Sequence, residues 1–123
     1  MKNCIFCNID EERIIYSNDK FYIIKDGFPV SPGHILIITK QHRENFFDLT
    51  DDELVDLNKF IKISKELIEK EYSPDGYNIG MNCGLTAGQS VMHFHCHLIP
   101  RYKGDTVNPK GGVRHVIPGK GYY

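Results

Sequence analysis

The sequence predicts an α+β fold in which an antiparallel sheet of about five strands packs against one long helix. Three observations support this prediction: short β-branched and aromatic segments, one amphipathic segment of helical period, and connections that are mostly short enough for antiparallel pairing. With 123 residues, of which 41% are hydrophobic and 25% charged, the chain has the size and composition of one globular unit. We expect a single domain over residues 1–123, with an extended tail from about residue 103.

Turn residues divide the chain into five predicted strands. Residues 13–19 and 20–26 should form a hairpin, because β-branched and aromatic runs meet there at Ser-Asn-Asp. A loop over residues 27–33 leads into residues 34–40, whose nearly continuous apolar run predicts a buried strand. Residues 77–82 and 93–100 are the remaining strands, and a Gly-rich connection over residues 83–90 joins them.

The predicted helix begins at a capping box. The Thr50 hydroxyl can accept a hydrogen bond from a free amide of the first turn, and Glu53 can reach back to the amide of Thr50. Apolar residues then recur at helical spacing from Leu54 to Ile68. Residues 73–76, Ser-Pro-Asp-Gly, should end the helix.

Composition and charge exclude several classes of protein. A net charge of -1 and a pI near 6.6 provide no general attraction for nucleic acid, so an anion must be bound locally. The N-terminus lacks the apolar run of a signal peptide, and no stretch approaches the roughly 20 apolar residues of a membrane span. We therefore expect a cytoplasmic protein that binds neither nucleic acid nor membrane, with four cysteines present as free thiols or metal ligands.

The segment "SVMHFHCHLIPR", residues 90–101, carries histidines at three alternate positions. In a strand, His93, His95 and His97 would share one face, with neighbouring Cα atoms about 6.5 Å apart. Convergence of all three rings on one metal ion would be strained, although two alternate histidines can share zinc. A solvated strand face is the simplest interpretation for one histidine, but three in register favour chemistry. A neutral imidazole is a competent nucleophile near pH 7.

This segment resembles the His-x-His-x-His-apolar-apolar signature of the histidine triad family of nucleotide hydrolases and transferases. The segments "CIFC", "KDGFPVSPGHILIITKQH" and "NCGLTAGQSVMHFHCH" occur in the family's order and approximate spacing. The resemblance implies a HIT-like fold, which agrees with the elements predicted above. It also implies a homodimer whose sheets join across the interface.

The resemblance assigns catalytic roles to four residues. His95, the middle histidine, would attack the α-phosphorus and carry the nucleotidyl intermediate. His97 would contact the phosphate, and His34 would complete the histidine cluster. Ser90, in a turn where small residues let backbone amides approach an anion, would assist the leaving group. Without the resemblance, His34 would be interpreted as a histidine at the start of a strand.

The resemblance also implies a nucleotide-binding set. Asp26 would accept both ribose hydroxyls, a bidentate role suited to a carboxylate. The phosphate side would be formed by Asn82, Gly88, Gln89 and Ser90, together with His97. An apolar slot for a purine base would be formed by Ile5, Phe6, Ile9 and Ile24, which periodicity alone would assign to the core.

Cys4-x-x-Cys7 is half of a common zinc site, and the sequence contains no second pair of this kind. In bacterial-type members with this motif, the resemblance implies that His42 and His93 complete a tetrahedral Cys2His2 set. Such a closed set would bind one structural zinc per chain, and no metal would be needed for the chemistry. Ordinary buried thiols are the alternative.

The resemblance implies a hydrolase that cleaves purine nucleoside phosphoramidates or dinucleoside polyphosphates at the α-phosphorus and releases AMP. Gly27 departs from the phosphoramidase branch, and Arg101 resembles the hydrolases of dinucleoside polyphosphates, so the substrate stays open. Three alternatives remain: a nucleotidylyl transferase or phosphorylase, a zinc metallohydrolase using His93 and His95, and a nucleotide-binding module without turnover.

Overall fold

The structure, a computed structural model, describes residues 2–123 and contains one five-stranded antiparallel sheet. The strands run in the order β1-β2-β3-β5-β4, and every neighbouring pair is antiparallel. The predicted fold class is therefore confirmed. The strands are β1 (Ile14–Ser17), β2 (Phe21–Lys25), β3 (Ile35–Thr39), β4 (Gly76–Gly80) and β5 (His95–Arg101).

The helix α1 spans Asp51–Glu69 and begins at the predicted capping box. The Glu53 amide donates to the Thr50 hydroxyl at 3.2 Å, and the Thr50 amide donates to the Glu53 carboxylate at 2.8 Å. Because these groups lie only three residues apart, local sequence is sufficient to set this terminus. Leu57, Phe60 and Ile68 are buried and fasten the helix to one face of the sheet.

The central strand β3 is buried on both faces of the sheet, which explains its continuous apolar run. On the helix side, Ile35 and Ile37 of β3 join the main core with Cys96 and Leu98 of β5. On the opposite side, Leu36 and Ile38 belong to a second apolar cluster. All five residues of β3 are therefore buried, and alternation of polar and apolar residues would have failed to predict this strand.

The last strand begins at His95, two residues later than predicted. The Phe94 amide donates to the Arg43 carbonyl at 2.6 Å, and His93 is fully buried away from solvent. His93 therefore precedes the strand instead of sharing its exposed face, which corrects the predicted row of three histidines. Only His95 and His97 lie on the strand itself, and they alternate with the buried Cys96 and Leu98.

Four 3-10 helices occupy connections of the described chain, at Glu11–Arg13, Phe46–Asp48, Leu85–Ala87 and Gly112–Val116. The last lies in the C-terminal segment, which packs partly on itself. There the His115 ring lies 4.4 Å from the Tyr122 ring, and Arg114 lies 4.5 Å from the centre of the Tyr123 ring. Within residues 2–123, no helix combines the length and the apolar character that crossing a membrane would require.

Candidate active site and metal centre

One ring nitrogen of His95, Nδ1, forms a hydrogen bond with the main chain, and the other, Nε2, takes no part in that bond. Its Nδ1 lies 2.9 Å from the carbonyl oxygen of His93. Because a carbonyl only accepts, Nδ1 carries the proton of the neutral ring and Nε2 keeps its lone pair. The ring is half-buried, and the Phe6 ring lies against it edge-on with centroids 5.0 Å apart. His95 therefore presents a fixed, unprotonated nitrogen.

One backbone amide sets the tautomers of His34 and His97. The Val30 N–H donates to His34 Nδ1 at 3.1 Å, so the proton of the neutral His34 ring lies on Nε2. That N–H faces His97 Nδ1 at 2.9 Å, which must accept. His97 consequently carries its own proton on Nε2, the nitrogen that remains available for an anionic group.

Burial keeps these two rings neutral near pH 7. Burial lowers the pKa of His34, and the nearby Asp26 carboxylate offsets only part of this effect. Burial, followed by the neighbouring rings of His95 and His34, lowers the pKa of His97 to about 4. Each ring therefore has one N–H and one lone pair, as the hydrogen bonds above require.

Asp26 follows β2 and joins the histidine group. Its Oδ1 accepts the Phe28 amide at 2.8 Å, and its Oδ2 lies 3.3 Å from His34 Nε2 and 3.8 Å from His97 Nδ1. Each carboxylate oxygen has more than one lone pair, so acceptor capacity remains on both. The predicted ribose acceptor thus lies beside the predicted phosphate contact.

Gly33 allows the loop to position His34, because a residue with a side chain would not fit at position 33. Its φ is 90°, and an added Cβ would lie 3.0 Å from Tyr72 and 3.3 Å from both Ile68 and Pro100. A side chain here would need a strained backbone and would also push against the helix. The Pro-Gly-His order in the sequence therefore follows from the close approach of this loop to α1.

The predicted base slot is brought together except for Ile5. Phe6 and Ile24 are buried in one cluster, and Ile9 packs against it. Ile5 is 63% exposed and lines a surface pocket together with His42 and Ser90. The sequence prediction did not include Leu36 and Ile38 in the base slot. These residues pair with His97 and His95, so knowing that β3 pairs with β5 would have identified them.

Hydrogen bonds within the connection from Asn82 to Ser90 hold its shape. The amides of Gly88 and Gln89 donate to the carbonyls of Leu85 and Gly84 at 3.0 and 3.1 Å. The Gln89 side chain is buried, accepts the Gly84 amide and donates to the carbonyls of Glu44 and Val91. Gln89 therefore holds the shape of the connection, while the side chains of Asn82 and Ser90 are exposed.

Cys4, Cys7, His42 and His93 form a compact group of metal-type donors. Their donor atoms all lie within 4.8 Å of one another. His93 Nδ1 lies 3.3 Å from Cys4 Sγ, 3.4 Å from Cys7 Sγ and 3.1 Å from His42 Nδ1. The structure thus assembles the predicted metal set from three separate segments of the chain.

The chemistry of these donors fits a metal ion. His93 Nε2 lies 2.8 Å from the Thr39 carbonyl, so Nε2 carries the proton and Nδ1 directs a lone pair into the group. Tetrahedral zinc with bonds of about 2.0 to 2.3 Å requires donor separations of roughly 3.3 to 3.8 Å, and four of the six separations in the group, at 3.1 to 3.4 Å, lie close to this range. The four residues can therefore hold a metal ion.

A second group of possible ligands, Asp26, His34 and His97, is better explained by hydrogen bonds. Its three donor atoms also lie within 4.8 Å of one another. However, His34 faces the group with Nε2, which carries a proton because Nδ1 accepts the Val30 amide. A protonated nitrogen cannot ligate a metal, so these residues constitute a hydrogen-bonded network.

The two remaining cysteines lie outside the metal group. Cys96 is fully buried in the main core, and burial raises the pKa of its thiol to about 12, which makes it unreactive. Cys83 is a half-buried free thiol. Both fit the structural role that their lack of histidine partners predicted.

A cavity of about 640 Å³ adjoins the histidine network on the helix side of the loop over residues 27–33. It includes Asp26 and His34 in its wall, together with Tyr72 and the C-terminal end of α1. His95 and Phe6 are not part of its wall. The proposed nucleophile therefore lies outside this cavity, which the histidine network meets through Asp26 and His34.

Fold and site together define an α+β protein in which two histidines of β5 and the histidine before β3 form a cluster, beside a Cys2His2 group able to hold a metal. The chain belongs to the HIT domain family, whose model matches residues 9–104.

Curated relatives agree with this assignment. An uncharacterized HIT-like protein of Saccharolobus solfataricus is 36% identical over 98% of this chain and 89% of its own length. An AP-4-A phosphorylase of Mycobacterium tuberculosis is 34% identical over 89% of this chain and 57% of its own. An asymmetrical bis(5'-nucleosyl)-tetraphosphatase of Schizosaccharomyces pombe is 43% identical over 63% of this chain and 42% of its own.

Solved structures show the same architecture. A histidine triad nucleotide-binding protein from Sulfolobus tokodaii is similar with a TM-score of 0.76 and 37% identity, over 82% of this chain and 70% of the other. A zinc-bound histidine triad family protein from Mycobacterium smegmatis is similar with a TM-score of 0.76 and 31% identity, over 87% and 81% of the two chains.

Proposed function

We propose that this protein hydrolyses purine nucleoside phosphoramidates or dinucleoside polyphosphates at the α-phosphorus, through a covalent intermediate on His95, and releases AMP. The observation that carries the proposal is the hydrogen bond of His95 Nδ1 to the His93 carbonyl, which leaves Nε2 as a nucleophile. Relatives named as a phosphorylase and a tetraphosphatase of dinucleoside polyphosphates support this substrate class.

Binding would use the groups that lie around His95. The purine would pack against Phe6, Ile9 and Ile24, which belong to one apolar cluster. The ribose hydroxyls would donate to the free lone pairs of Asp26. Asn82 and the turn at Gly88, Gln89 and Ser90 would border the phosphates, with the exposed Asn82 and Ser90 side chains as the polar contacts.

In the first step, the lone pair on His95 Nε2 attacks the α-phosphorus, and the bond from phosphorus to the leaving group breaks. The leaving group departs with the bonding electron pair, assisted by a hydrogen bond from Ser90. A polyphosphate leaves as its anion, and an amine leaves after taking a proton from solvent. The imidazole becomes positively charged, and the His93 carbonyl stabilises that charge because it accepts from Nδ1. The N–H on His97 Nε2 donates to a phosphate oxygen and neutralises part of its charge.

In the second step, water attacks the phosphorus of the nucleotidyl-histidine. The bond from phosphorus to nitrogen breaks, its electron pair returns to His95 Nε2, and the proton lost by water is released to solvent. The product is a nucleoside monophosphate, and His95 regains its starting state. His34 acts through His97, because its Nε2–H holds His97 Nδ1 as an acceptor.

We propose that the Cys4, Cys7, His42 and His93 group binds one structural zinc. A closed set of four protein donors leaves no position for a reactive water, so the zinc would supply structural cross-linking and no chemistry. The zinc-bound relative from Mycobacterium smegmatis supports this choice of metal. The same closed set argues against the zinc metallohydrolase, because His95 faces the His93 carbonyl and not the donors.

A phosphorylase is the second candidate, favoured by the relative named AP-4-A phosphorylase. In that reaction, inorganic phosphate instead of water would open the intermediate. Diadenosine tetraphosphate would then give ADP in the presence of phosphate, whereas a hydrolase would give AMP whether phosphate is present or absent.

The test is to capture the intermediate. Wild type is mixed with a substrate radiolabelled at the α-phosphorus and quenched, and the protein should retain label that is stable in base and released in acid. His95→Asn should neither retain label nor release AMP, whereas His115→Asn, a matched change in the C-terminal segment, should do both. Equal turnover by His95→Asn would reject covalent catalysis, and binding of AMP without any turnover would favour a nucleotide-binding module.

A further inference from the structure

His93 belongs to both the metal group and the catalytic group. Its side chain directs Nδ1 at Cys4, Cys7 and His42 at distances of 3.1 to 3.4 Å. Its main-chain carbonyl accepts from His95 Nδ1 at 2.9 Å. The position of the nucleophile therefore depends on the position of a residue whose side chain is one of the metal-type donors.

The peptide group between His93 and Phe94 is held from its other side as well. The Phe94 amide donates to the carbonyl of Arg43, which follows His42 in the chain, at 2.6 Å. Amide and carbonyl belong to one planar unit. A shift of His42 relative to His93 would therefore rotate the carbonyl that orients His95.

Phe6 provides a second connection between the two groups. It lies between Cys4 and Cys7, is only 7% exposed, and its ring centroid is 5.0 Å from that of His95 and 6.1 Å from that of His93. The surrounding segment belongs to no strand or helix. The backbone and side-chain bonds found for residues 4–8 mainly join the segment to itself or to the two histidine donors. The metal donors and Phe6 therefore hold this segment on the sheet.

We propose that metal binding positions the nucleophile, through Phe6 and the peptide group between His93 and Phe94, and thereby strengthens nucleotide binding. The nucleotide part of this inference rests on the proposed function. Since coupling between two binding equilibria is reciprocal, nucleotide must strengthen metal binding by the same factor. We expect a factor of order ten, within the range of about 5- to 150-fold that couplings of this kind span. Beyond its place in the proposed base slot, Phe6 acts here by positioning the His95 ring, and the metal takes no part in the chemistry.

The first measurement is AMP affinity by calorimetry in Zn²⁺-loaded and Zn²⁺-free protein. Wild type should bind AMP about tenfold more tightly when loaded. Phe6→Leu keeps all four donors, so it should bind Zn²⁺ fully. Because Phe6 also borders the proposed base slot, the readout is the ratio of the AMP affinities of the loaded and free forms, which should be smaller than in wild type. Phe47→Leu is the matched control, because Phe47 is 80% exposed and should leave both affinities unchanged.

The second measurement is the tautomer of His95, observed by long-range ¹⁵N–¹H correlation spectra without substrate or turnover. Loaded wild type should show a single form protonated on Nδ1, and the Zn²⁺-free protein should show a mixture of both tautomers. If circular dichroism shows that the Zn²⁺-free protein is unfolded, fully loaded Phe6→Leu takes its place, and without substrate it should show the mixture of His95 tautomers.

The outcomes separate this inference from the proposed function. The coupling would be overturned if the loaded and free proteins had equal AMP affinities and each showed one His95 tautomer. The same result for loaded wild type and loaded Phe6→Leu would also overturn it. Either result would leave the catalytic proposal intact. Absence of AMP binding to loaded wild type would instead contradict the proposed function, and the spectra would still decide whether the metal positions His95.

Discussion

His34 Nε2 lies 2.9 Å from His97 Nδ1, so the ring of the residue just before β3 shares one hydrogen bond with a ring of β5. The direction of this bond is fixed outside the pair, because the Val30 amide donates to the other nitrogen of His34. The loop before β3 therefore determines which nitrogen of His97 carries a proton. This relationship leads to predictions about both pH and backbone geometry.

The stability of the protein should decrease as the pH decreases, and His97 should account for part of this loss. Its pKa is lowered from 6.5 to about 4 in the folded protein, so the unfolded chain binds a proton first as pH falls. This contribution is complete above pH 6.5 and is lost as pH falls toward about 4. Urea unfolding at pH 7 and 4.5 should therefore show a smaller loss for His97→Asn than for wild type. Equal losses in the two proteins would contradict the prediction.

Replacing Gly33 should disturb His34 and the fold together. Gly33→Ala adds a Cβ in a backbone conformation with φ of 90° and close to Tyr72, so we expect a loss of about 1 to 3 kcal/mol. Thermal unfolding measures this loss. Gly76→Ala is the matched control, since an added Cβ there meets nothing within 4 Å. A loss no larger than that of the control would show that this loop tolerates a side chain.

Glu53 should stabilise the start of α1 through its bond with Arg43 as well as through its hydrogen bond in the capping box. Arg43 Nε donates to the buried Glu53 carboxylate at 3.0 Å. Burial alone would raise the pKa of Glu53, but hydrogen bonds from Thr50 and Arg43 outweigh it and lower the pKa below 4.5. Glu53→Gln should therefore cost about 1 to 3 kcal/mol at pH 7, and less as pH falls below 4.5. The control Asp52→Asn, at an exposed position, should change urea unfolding little, and equal losses would contradict the prediction.

The native protein should contain one zinc per chain, measured by elemental analysis. Cys4→Ser should lose the metal and be less stable by about 2.7 kcal/mol where free zinc is a hundred times the Kd of wild type. Cys83→Ser should keep both metal and stability, because Cys83 lies outside the donor group. Zinc-free native protein, or a Cys4→Ser variant of unchanged thermal stability, would show that the four residues have no metal-dependent role.

The protein should be a homodimer, as its family resemblance implies. Strand β4 is the last strand of the sheet and pairs only with β5 within the described chain, so its second edge is free to pair with another sheet. Light scattering after gel filtration should give twice the mass of the 14.2 kDa chain. A mass of one chain at micromolar concentration would reject the dimer.

Local sequence determined those parts whose partners lie close along the chain. The cap of α1 needs only Thr50 and Glu53, and the apolar run of β3 needs only its own residues. The family resemblance identified the four metal donors and Asp26, and the structure brings them into two compact groups. The cap and the strand are confirmed because their signals are local, whereas the roles that the resemblance implies for the metal donors and Asp26 stay predictions.

The tertiary structure alone decided what depends on contacts between distant segments. His93 is buried just before β5, where the Phe94 amide bonds to Arg43. Ile5 is exposed, while Phe6 and Ile9 of the same segment pack in the second apolar cluster. The tautomers of His34 and His97 depend on the Val30 amide, which no residue pattern encodes. A side chain's type is set by the sequence, but its protonated atom and its direction are set by partners that only folding brings within hydrogen-bond distance.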